Sequence, residues 1–321
     1  MNITVLCPLQ KLDRDRITAA APGADILFTT NAEITPEQCA RTDVVFGNIA
    51  AAKLGQYTNL KWLQLISAGA DAYVSGGVMR DDTVLTCSSG SFGQMISEYL
   101  LCSVLTHMQN FHRLRDNQRA RLWQEEGLAK SIQGASFGVF GVGDIGENFA
   151  KRVKLLGASR VVGFRRNASR TSQWVDEMYT MDKMYEILPQ LDVVVSVLPG
   201  TPETAGIFDT KAFSCFKKGA IFINAGRGSA VDLDAVCDAV DSGALRGATL
   251  DVFPEEPLAA DHRAWELTNM LVTPHVAGGF RVSHGASSEE CLSLRLIINN
   301  FLENLARYQK GEPLAHVVEH H

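Results

Sequence analysis

Apolar residues along the chain gather in short β-branched runs, separated by amphipathic stretches. ITVLC (3–7), DILFT (25–29), DVVFG (43–47), WLQLIS (62–67) and TVLTC (83–87) form a first series. SFGVFG (136–141), RVVGF (160–164), DVVVSVL (192–198), AIFINA (220–225), ATLDVF (248–253) and MLVTP (270–274) form a second. Such alternation predicts parallel strands joined by crossover helices. The runs are almost continuously apolar, as strands become when helices cover both faces of their sheet. The pattern therefore predicts an α/β chain with two doubly wound parallel-sheet units.

Between the two series, Met95, Tyr99, Leu100, Leu105, Met108 and Phe111 recur at roughly helical spacing, which predicts one long helix over 94–124 linking the units. A further helix is predicted over about 283–308, where Cys291, Leu292, Leu294, Leu296, Ile297, Phe301, Leu302 and Leu305 make a broad apolar face. The pattern leaves open whether it finishes the second unit or returns to the first.

A length of 321 residues favours two domains, and 46% hydrophobic with 21% charged residues is enough to bury a core. The net charge of −6, from 30 basic and 36 acidic residues, argues against a non-specific nucleic-acid binder, which must meet phosphates with clustered cations. The seven cysteines (Cys7, Cys39, Cys87, Cys102, Cys215, Cys237, Cys291) show no metal-ligand spacing, so no metal site is expected. Their odd number, and a start without a secretory signal, point to a reducing, cytoplasmic setting. No stretch approaches ~18 apolar residues, so no membrane span is expected. The terminal His320 and His321 carry no weight.

Gly141, Val142, Gly143, Asp144, Ile145 and Gly146 follow a predicted strand and open a predicted helix. In that context the glycines allow a tight turn, close approach to a pyrophosphate and close helix packing, and the helix start offers N–H donors. The hexapeptide alone is a weak signal, and a structural glycine turn is its ordinary explanation. The next strand ends at Arg165 and Arg166, 19 residues past Gly146. A carboxylate near that place would grip the ribose 2′-hydroxyl of NAD; guanidinium groups suit the 2′-phosphate of NADP, with Arg170 as a third contributor.

Polar residues that strand packing does not require stand at the ends of three later strands: Asn224–Gly228, Leu250–Leu258 and Thr273–Gly279. In a doubly wound sheet those ends form the ligand crevice, which brings Arg227, a carboxylate and His275 to one edge. Each taken alone is more often a surface turn, a solvated helix start or a capped loop.

GVGDIG, LPGTPET, INAGRGSAVD, LDVFPEEPL and TPHVAGG, in this order and with SAGADAY (67–73) and KGEPL (310–314), resemble the D-isomer-specific 2-hydroxyacid dehydrogenase family. The resemblance spans nearly the whole chain. It implies a flavodoxin-like substrate domain (1–101 plus 286–321), an inserted Rossmann cofactor domain (102–285) and an active-site cleft between them. The helix at 283–308 would then return to the first unit. Arg227 would bind the substrate carboxylate and polarise the keto oxygen, while Glu256 would pair with His275, the proton donor. The chemistry agrees, since a carboxylate beside an imidazole favours its protonated form and fixes its orientation. An arginine also clamps a planar, developing anion better than a lysine.

The same resemblance places Leu198, Pro199, Thr204, Ala225, Asp251 and Gly278 at the cofactor, with Asp251 at the nicotinamide carboxamide. Ala68 and Gly69 match a loop whose N–H groups hold the substrate carboxylate. Asn48 and Gln94 are further polar candidates for the substrate pocket. Asp144 departs from the family pattern, which often has arginine there; an acid near a pyrophosphate weakens binding unless it turns to solvent. A homodimer built on the 94–124 region is also implied.

The resulting expectation is an NADPH-preferring reductase, with NAD as a lesser cofactor, that turns small 2-keto acids into (R)-2-hydroxy acids. The stereochemistry rests on resemblance alone. Phosphoglycerate oxidation is less expected because the chain ends soon after KGEPL, and formate oxidation because Glu256 stands where that relative has an amide. A non-catalytic NAD(P)-sensing interaction protein of the same fold is the rival from another class.

Overall fold

A computed structural model describes residues 1–74, 79–279 and 287–319. The chain divides into two compact units, Met1–Phe92 with Gly279–His321, and Gly93–Gly278.

The first unit contains β1 (Asn2–Val5), α1 (Lys11–Ala20), β2 (Asp25–Phe28), α2 (Pro36–Arg41), β3 (Val44–Phe46), β4 (Trp62–Gln64), α3 (Asp71–Val74) and β5 (Val84–Thr86). Its five strands are parallel, in the flavodoxin-like order β2-β1-β3-β4-β5. A C-terminal helix, Leu292–Lys310, lays Leu294, Ile297, Ile298, Phe301 and Leu305 on Ile3, Val5, Val44, Phe46 and Trp62. Phe301 stacks on Phe46 with ring centroids 4.2 Å apart. This helix therefore belongs to the first unit. It begins at Leu292, later than the expected 283: residues 288–290 form a turn, and 280–286 lie outside the described residues.

The second unit runs through α4 (Gly93–Met108), α5 (Phe111–Ala120), β6 (Ser136–Phe140), α6 (Asp144–Leu155), β7 (Arg160–Phe164), β8 (Glu177–Tyr179), α7 (Met184–Ile187), β9 (Val193–Ser196), α8 (Thr210–Ser214), β10 (Ala220–Asn224), α9 (Leu233–Asp241), β11 (Leu245–Leu250) and β12 (Met270–Val272). Seven parallel strands lie in the order β12-β11-β10-β9-β6-β7-β8. The order reverses between β6 and β9, and loops at such a switch point form the ligand crevice of an open α/β sheet.

Three further expectations need correction. The single helix over 94–124 is two helices, because Asn110 turns left-handed (φ +57°). Arg246 also draws off the last carbonyls of α4, donating to His107 O at 3.0 Å and Met108 O at 3.5 Å. The expected domain boundary at 101/102 cuts α4, which lies whole in the second unit; the change of unit falls at Phe92/Gly93. The strand expected over 248–253 occupies Leu245–Leu250, which leaves Asp251–Phe253 as loop.

Candidate active site

The glycine loop at the end of β6 gives each glycine its own reason. Gly141 takes φ +98°, and a Cβ there would meet Val197 O at 2.8 Å. Gly146 packs so close to Gly141 O that a side chain would collide with it. Gly143, the residue before α6, has nothing within 4 Å of its Cβ position, so the start of a 12-residue helix is open to an anion. This cradle fits a dinucleotide pyrophosphate. Ile145 is half-buried, whereas Asp144 is exposed. The Asp144 carboxylate leans to the start of α4, where a Cβ on Gly93 would strike it, and accepts from Asn148 Nδ2 at 3.2 Å.

At the end of β7, Arg165 donates from Nη1 to Arg170 O at 3.1 Å, while Arg166 and Arg170 are exposed. The Thr201 side chain holds the Glu203 carboxyl below its ordinary range, with a smaller contribution from Arg166. Thr204 braces the 199–204 loop, its hydroxyl donating to Pro199 O at 2.6 Å and accepting from Thr201 N at 3.0 Å.

The Arg227 turn is built by its neighbours. Asn224 Nδ2 donates to Arg227 O at 2.9 Å, and Gly226 N donates to Asn224 Oδ1 at 3.2 Å. Arg227 Nη1 donates to Gly226 O at 2.9 Å. A Cβ on Gly226 would meet the backbone of Leu198 at 2.6 Å, and one on Gly228 would collide with the Phe253 carbonyl. Ala225 is buried and donates its N–H to Ser196 O at 3.0 Å. The Gly-Arg-Gly sequence therefore wedges Arg227 between the loops after β9 and β11.

The loop after β11 then supplies the acid. Phe253 N donates to Glu256 Oε1 at 3.0 Å, and His275 Nδ1 meets Glu256 Oε2 at 2.8 Å. Both side chains remain partly open, 53% for His275 and 37% for Glu256. His275 holds φ +55°, with its N–H donating to Asp251 O at 2.8 Å. Asp251 is 1% exposed. Its Oδ1 accepts from Thr273 Oγ1 at 2.6 Å and Val276 N at 2.8 Å, and its Oδ2 from Ala277 N at 2.9 Å. Asp251 thus braces the His275 loop with both carboxylate oxygens. Gly278, half-buried, closes the same loop.

In the first unit, Asn48 Oδ1 accepts from Ile66 N and its Nδ2 donates to Ser67 Oγ, both at 3.1 Å. Ser67 Oγ donates in turn to Gly69 O at 2.7 Å, which shapes the loop. Among the described residues no backbone acceptor takes the N–H groups of Ala68 and Gly69. Gln94 belongs to the second unit, where its amide is engaged along α4 by Glu98. Sequence reasoning missed Tyr99, whose hydroxyl lies 2.6 Å from Thr273 Oγ1. A tyrosine at an inward helix position is itself a signal, because its hydroxyl needs a buried partner.

Among the described residues no cluster of three or more His, Cys, Asp or Glu could hold a metal ion, and no helix is long and apolar enough to cross a membrane.

A seven-stranded Rossmann-type sheet with a glycine loop at its switch point defines a dinucleotide-binding protein. Residues 101–277 match the family model described as D-isomer specific 2-hydroxyacid dehydrogenase, NAD binding domain, and the chain belongs to that family. It is similar to a D-isomer specific 2-hydroxyacid dehydrogenase family protein from Aeromonas salmonicida subsp. salmonicida A449 (29% identity, TM-score 0.86, covering 100% of this chain and 99% of that one). It is also similar to an NADPH-dependent glyoxylate/hydroxypyruvate reductase from Sinorhizobium meliloti, solved with NADP and sulfate (25% identity, TM-score 0.81, covering 99% and 98%). A D-3-phosphoglycerate dehydrogenase from Mycobacterium leprae is 30% identical over 290 residues, 89% of this chain and 51% of the relative. The chain spans about half the length of that enzyme.

Proposed function

We propose that the protein reduces small 2-keto acids to (R)-2-hydroxy acids, with NADPH preferred over NADH. The observation that carries the reading is the His275–Glu256 pair at 2.8 Å, held on the loop that also abuts the Arg227 turn. Gly141, Gly143, Ile145 and Gly146 would hold the pyrophosphate, and Arg165 and Arg166 the 2′-phosphate. Leu198, Pro199, Thr204, Ala225 and Gly278 would line the rest of the cofactor site. When bound, the reduced nicotinamide supplies a hydride to the carbonyl carbon. Glu256 fixes the imidazole through Nδ1, which leaves Nε2 as the atom that hands a proton to the keto oxygen. The Arg227 guanidinium binds the substrate carboxylate and stabilises negative charge growing on that oxygen. In the first unit, the Ala68 and Gly69 N–H groups offer a carboxylate nest, shaped by Asn48 through Ser67.

We also infer a homodimer. Leu105, Phe111, Leu114, Leu122, Trp123 and Leu128 are exposed on and after α4 and α5, and a groove of about 450 Å³ lies on this face. We further infer a reducing, cytoplasmic setting from the odd number and scattered spacing of the seven cysteines.

The test is a kinetic matrix of NADPH and NADH against glyoxylate, hydroxypyruvate, pyruvate and larger 2-keto acids, with 3-phosphoglycerate and NAD as the oxidative arm. Reduction of at least one keto acid with higher kcat/KM for NADPH is expected. Turnover in the oxidative arm alone would replace the reading with phosphoglycerate oxidation, and no turnover anywhere would favour the sensor.

A further inference from the structure

Tyr99, on α4, is half-buried and ends 2.6 Å from Thr273 Oγ1. The Thr273 hydroxyl has one proton, and at 2.6 Å it serves the carboxylate oxygen Asp251 Oδ1. Tyr99 must then be the donor to Thr273, and the order runs from Tyr99 through Thr273 to Asp251. Burial pushes the Tyr99 phenol up to about 12, so it keeps the proton it donates throughout the neutral range.

Asp251 is where this chain meets the candidate proton donor. Its carbonyl takes the His275 N–H, and its carboxylate takes the next two backbone N–H groups, Val276 and Ala277. Three consecutive peptide groups are thereby aimed by one buried residue. The central problem they solve is His275 itself, whose φ of +55° lies in a region that residues with a Cβ avoid. Such a conformation persists only where the surroundings over-determine it. A loop strained in this way, with its imidazole held from the other side by Glu256, needs a fixed point outside the loop. Tyr99 provides one, on a helix 174 residues earlier in the chain.

We propose that Tyr99 is a positioning residue for His275, acting through Thr273 and Asp251. The inference rests on the reading of His275 as proton donor. Tyr99 touches neither substrate nor cofactor in this scheme. Its hydroxyl fixes Thr273, which fixes the carboxylate that sets the backbone of His275, and so the direction of Nε2.

The test uses the full chain with Tyr99→Phe, Thr273→Val, their combination, and Thr273→Ser. Tyr99→Phe keeps the ring and removes only the hydroxyl. We expect it to lower kcat for keto-acid reduction about tenfold, with NADPH affinity and substrate KM within about twofold, because misaimed proton delivery damages the transition state more than binding. Thr273→Val should do the same, the double variant should be no worse than the worse single one, and Thr273→Ser should recover most of the rate. A turnover-free readout accompanies these: the His275 Nδ1–H resonance in 15N-histidine-labelled protein, assigned by its loss in His275→Gln. It should shift or broaden in Tyr99→Phe. If wild-type protein reduces no keto acid while this resonance still moves, the positioning stands and the reductase reading falls. Unchanged kcat and an unmoved resonance in both single variants would overturn the proposal. So would a rate loss that tracks Tm and is not recovered by Thr273→Ser.

Discussion

Gly228 rests on Phe253 so closely that a Cβ would run into the Phe253 carbonyl. The contact joins the turn that presents Arg227 to the loop whose Phe253 N–H holds Glu256. The obstructing atoms are backbone, which cannot rotate aside. Gly228→Ala should therefore cost about 2–3 kcal/mol of stability by overpacking, measured by urea denaturation, and lower kcat/KM with it. Gly143→Ala is the contrast. Its Cβ would enter open space, so stability should hold while NADPH affinity falls about tenfold or more, as fluorescence titration would show.

His275 and Arg227 should fail in different ways. Removing the proton donor in His275→Ala should lower kcat by roughly two to four orders of magnitude and leave NADPH affinity nearly unchanged. Arg227→Ala should lower kcat and raise the keto-acid KM together, because the guanidinium acts on both ground state and transition state. Near-normal steady-state rates in His275→Ala would remove it from the mechanism.

Arg166 sets a third expectation. It is exposed just past the end of β7. Arg166→Asp should reduce the NADPH over NADH ratio of kcat/KM by about tenfold or more, since an acid there repels a 2′-phosphate and suits a ribose hydroxyl. An unaltered ratio would reassign the pair to the solvated surface.

The strands were legible because most are buried on both faces and so read as unbroken β-branched runs. Six of those runs account for six strands of the second sheet; the seventh is β8, a three-residue edge strand containing Glu177 that matches no such pattern. Arg227 and His275 could be read as site candidates because polar side chains at the ends of apolar strands lack a packing reason, whereas the choice of Glu256 among the acids of 250–258 came from the family resemblance. The break between α4 and α5 could not be read. It depends on Arg246, which also donates to Asn110 Oδ1 from 136 residues away, and on α5 having no buried face. The Tyr99 hydroxyl signals that a partner is needed, but which one appears only when the chain folds and brings Thr273 to it. The bracing role of Asp251 could not be read either, because the N–H groups of Val276 and Ala277 meet its carboxylate only when the chain folds.

The exposed apolar face of α4 and α5 makes an association prediction. Trp123 is fully exposed. The segment around it is nevertheless firmly tied, with Arg113 on Glu126 at 2.7 Å and Arg246 Nη2 on Leu128 O at 2.9 Å. Holding a large apolar ring in water on an ordered loop suits a surface that meets a partner copy. Sedimentation velocity should show a dimer for the wild-type chain, and Leu105→Glu with Trp123→Ser should shift it to monomer without unfolding it. A wild-type monomer at micromolar concentration would discard the dimer.

His107 supplies the pH dependence. It is fully buried near the end of α4, its Nε2 is 2.9 Å from Thr249 Oγ1, and a Cβ on Gly247 would strike its ring. Burial, with lesser contributions from His112 and Arg246, pushes its pKa down from 6.5 to about 3. Below pH 6.5 the unfolded chain takes a proton here that the folded chain refuses. The stabilisation is therefore complete above pH 6.5 and is lost as pH falls toward 3, with a limiting slope of about 1.4 kcal/mol per pH unit. Carboxylates held below their usual range, such as Asp192 and Glu177, act in the same direction at lower pH, so the comparison must be with a variant. His107→Gln keeps a polar group near Thr249 and removes the titration. Urea denaturation between pH 7 and pH 4.5 should show a shallower fall for the variant than for the wild type; parallel curves would mean that His107 takes its proton without resisting it.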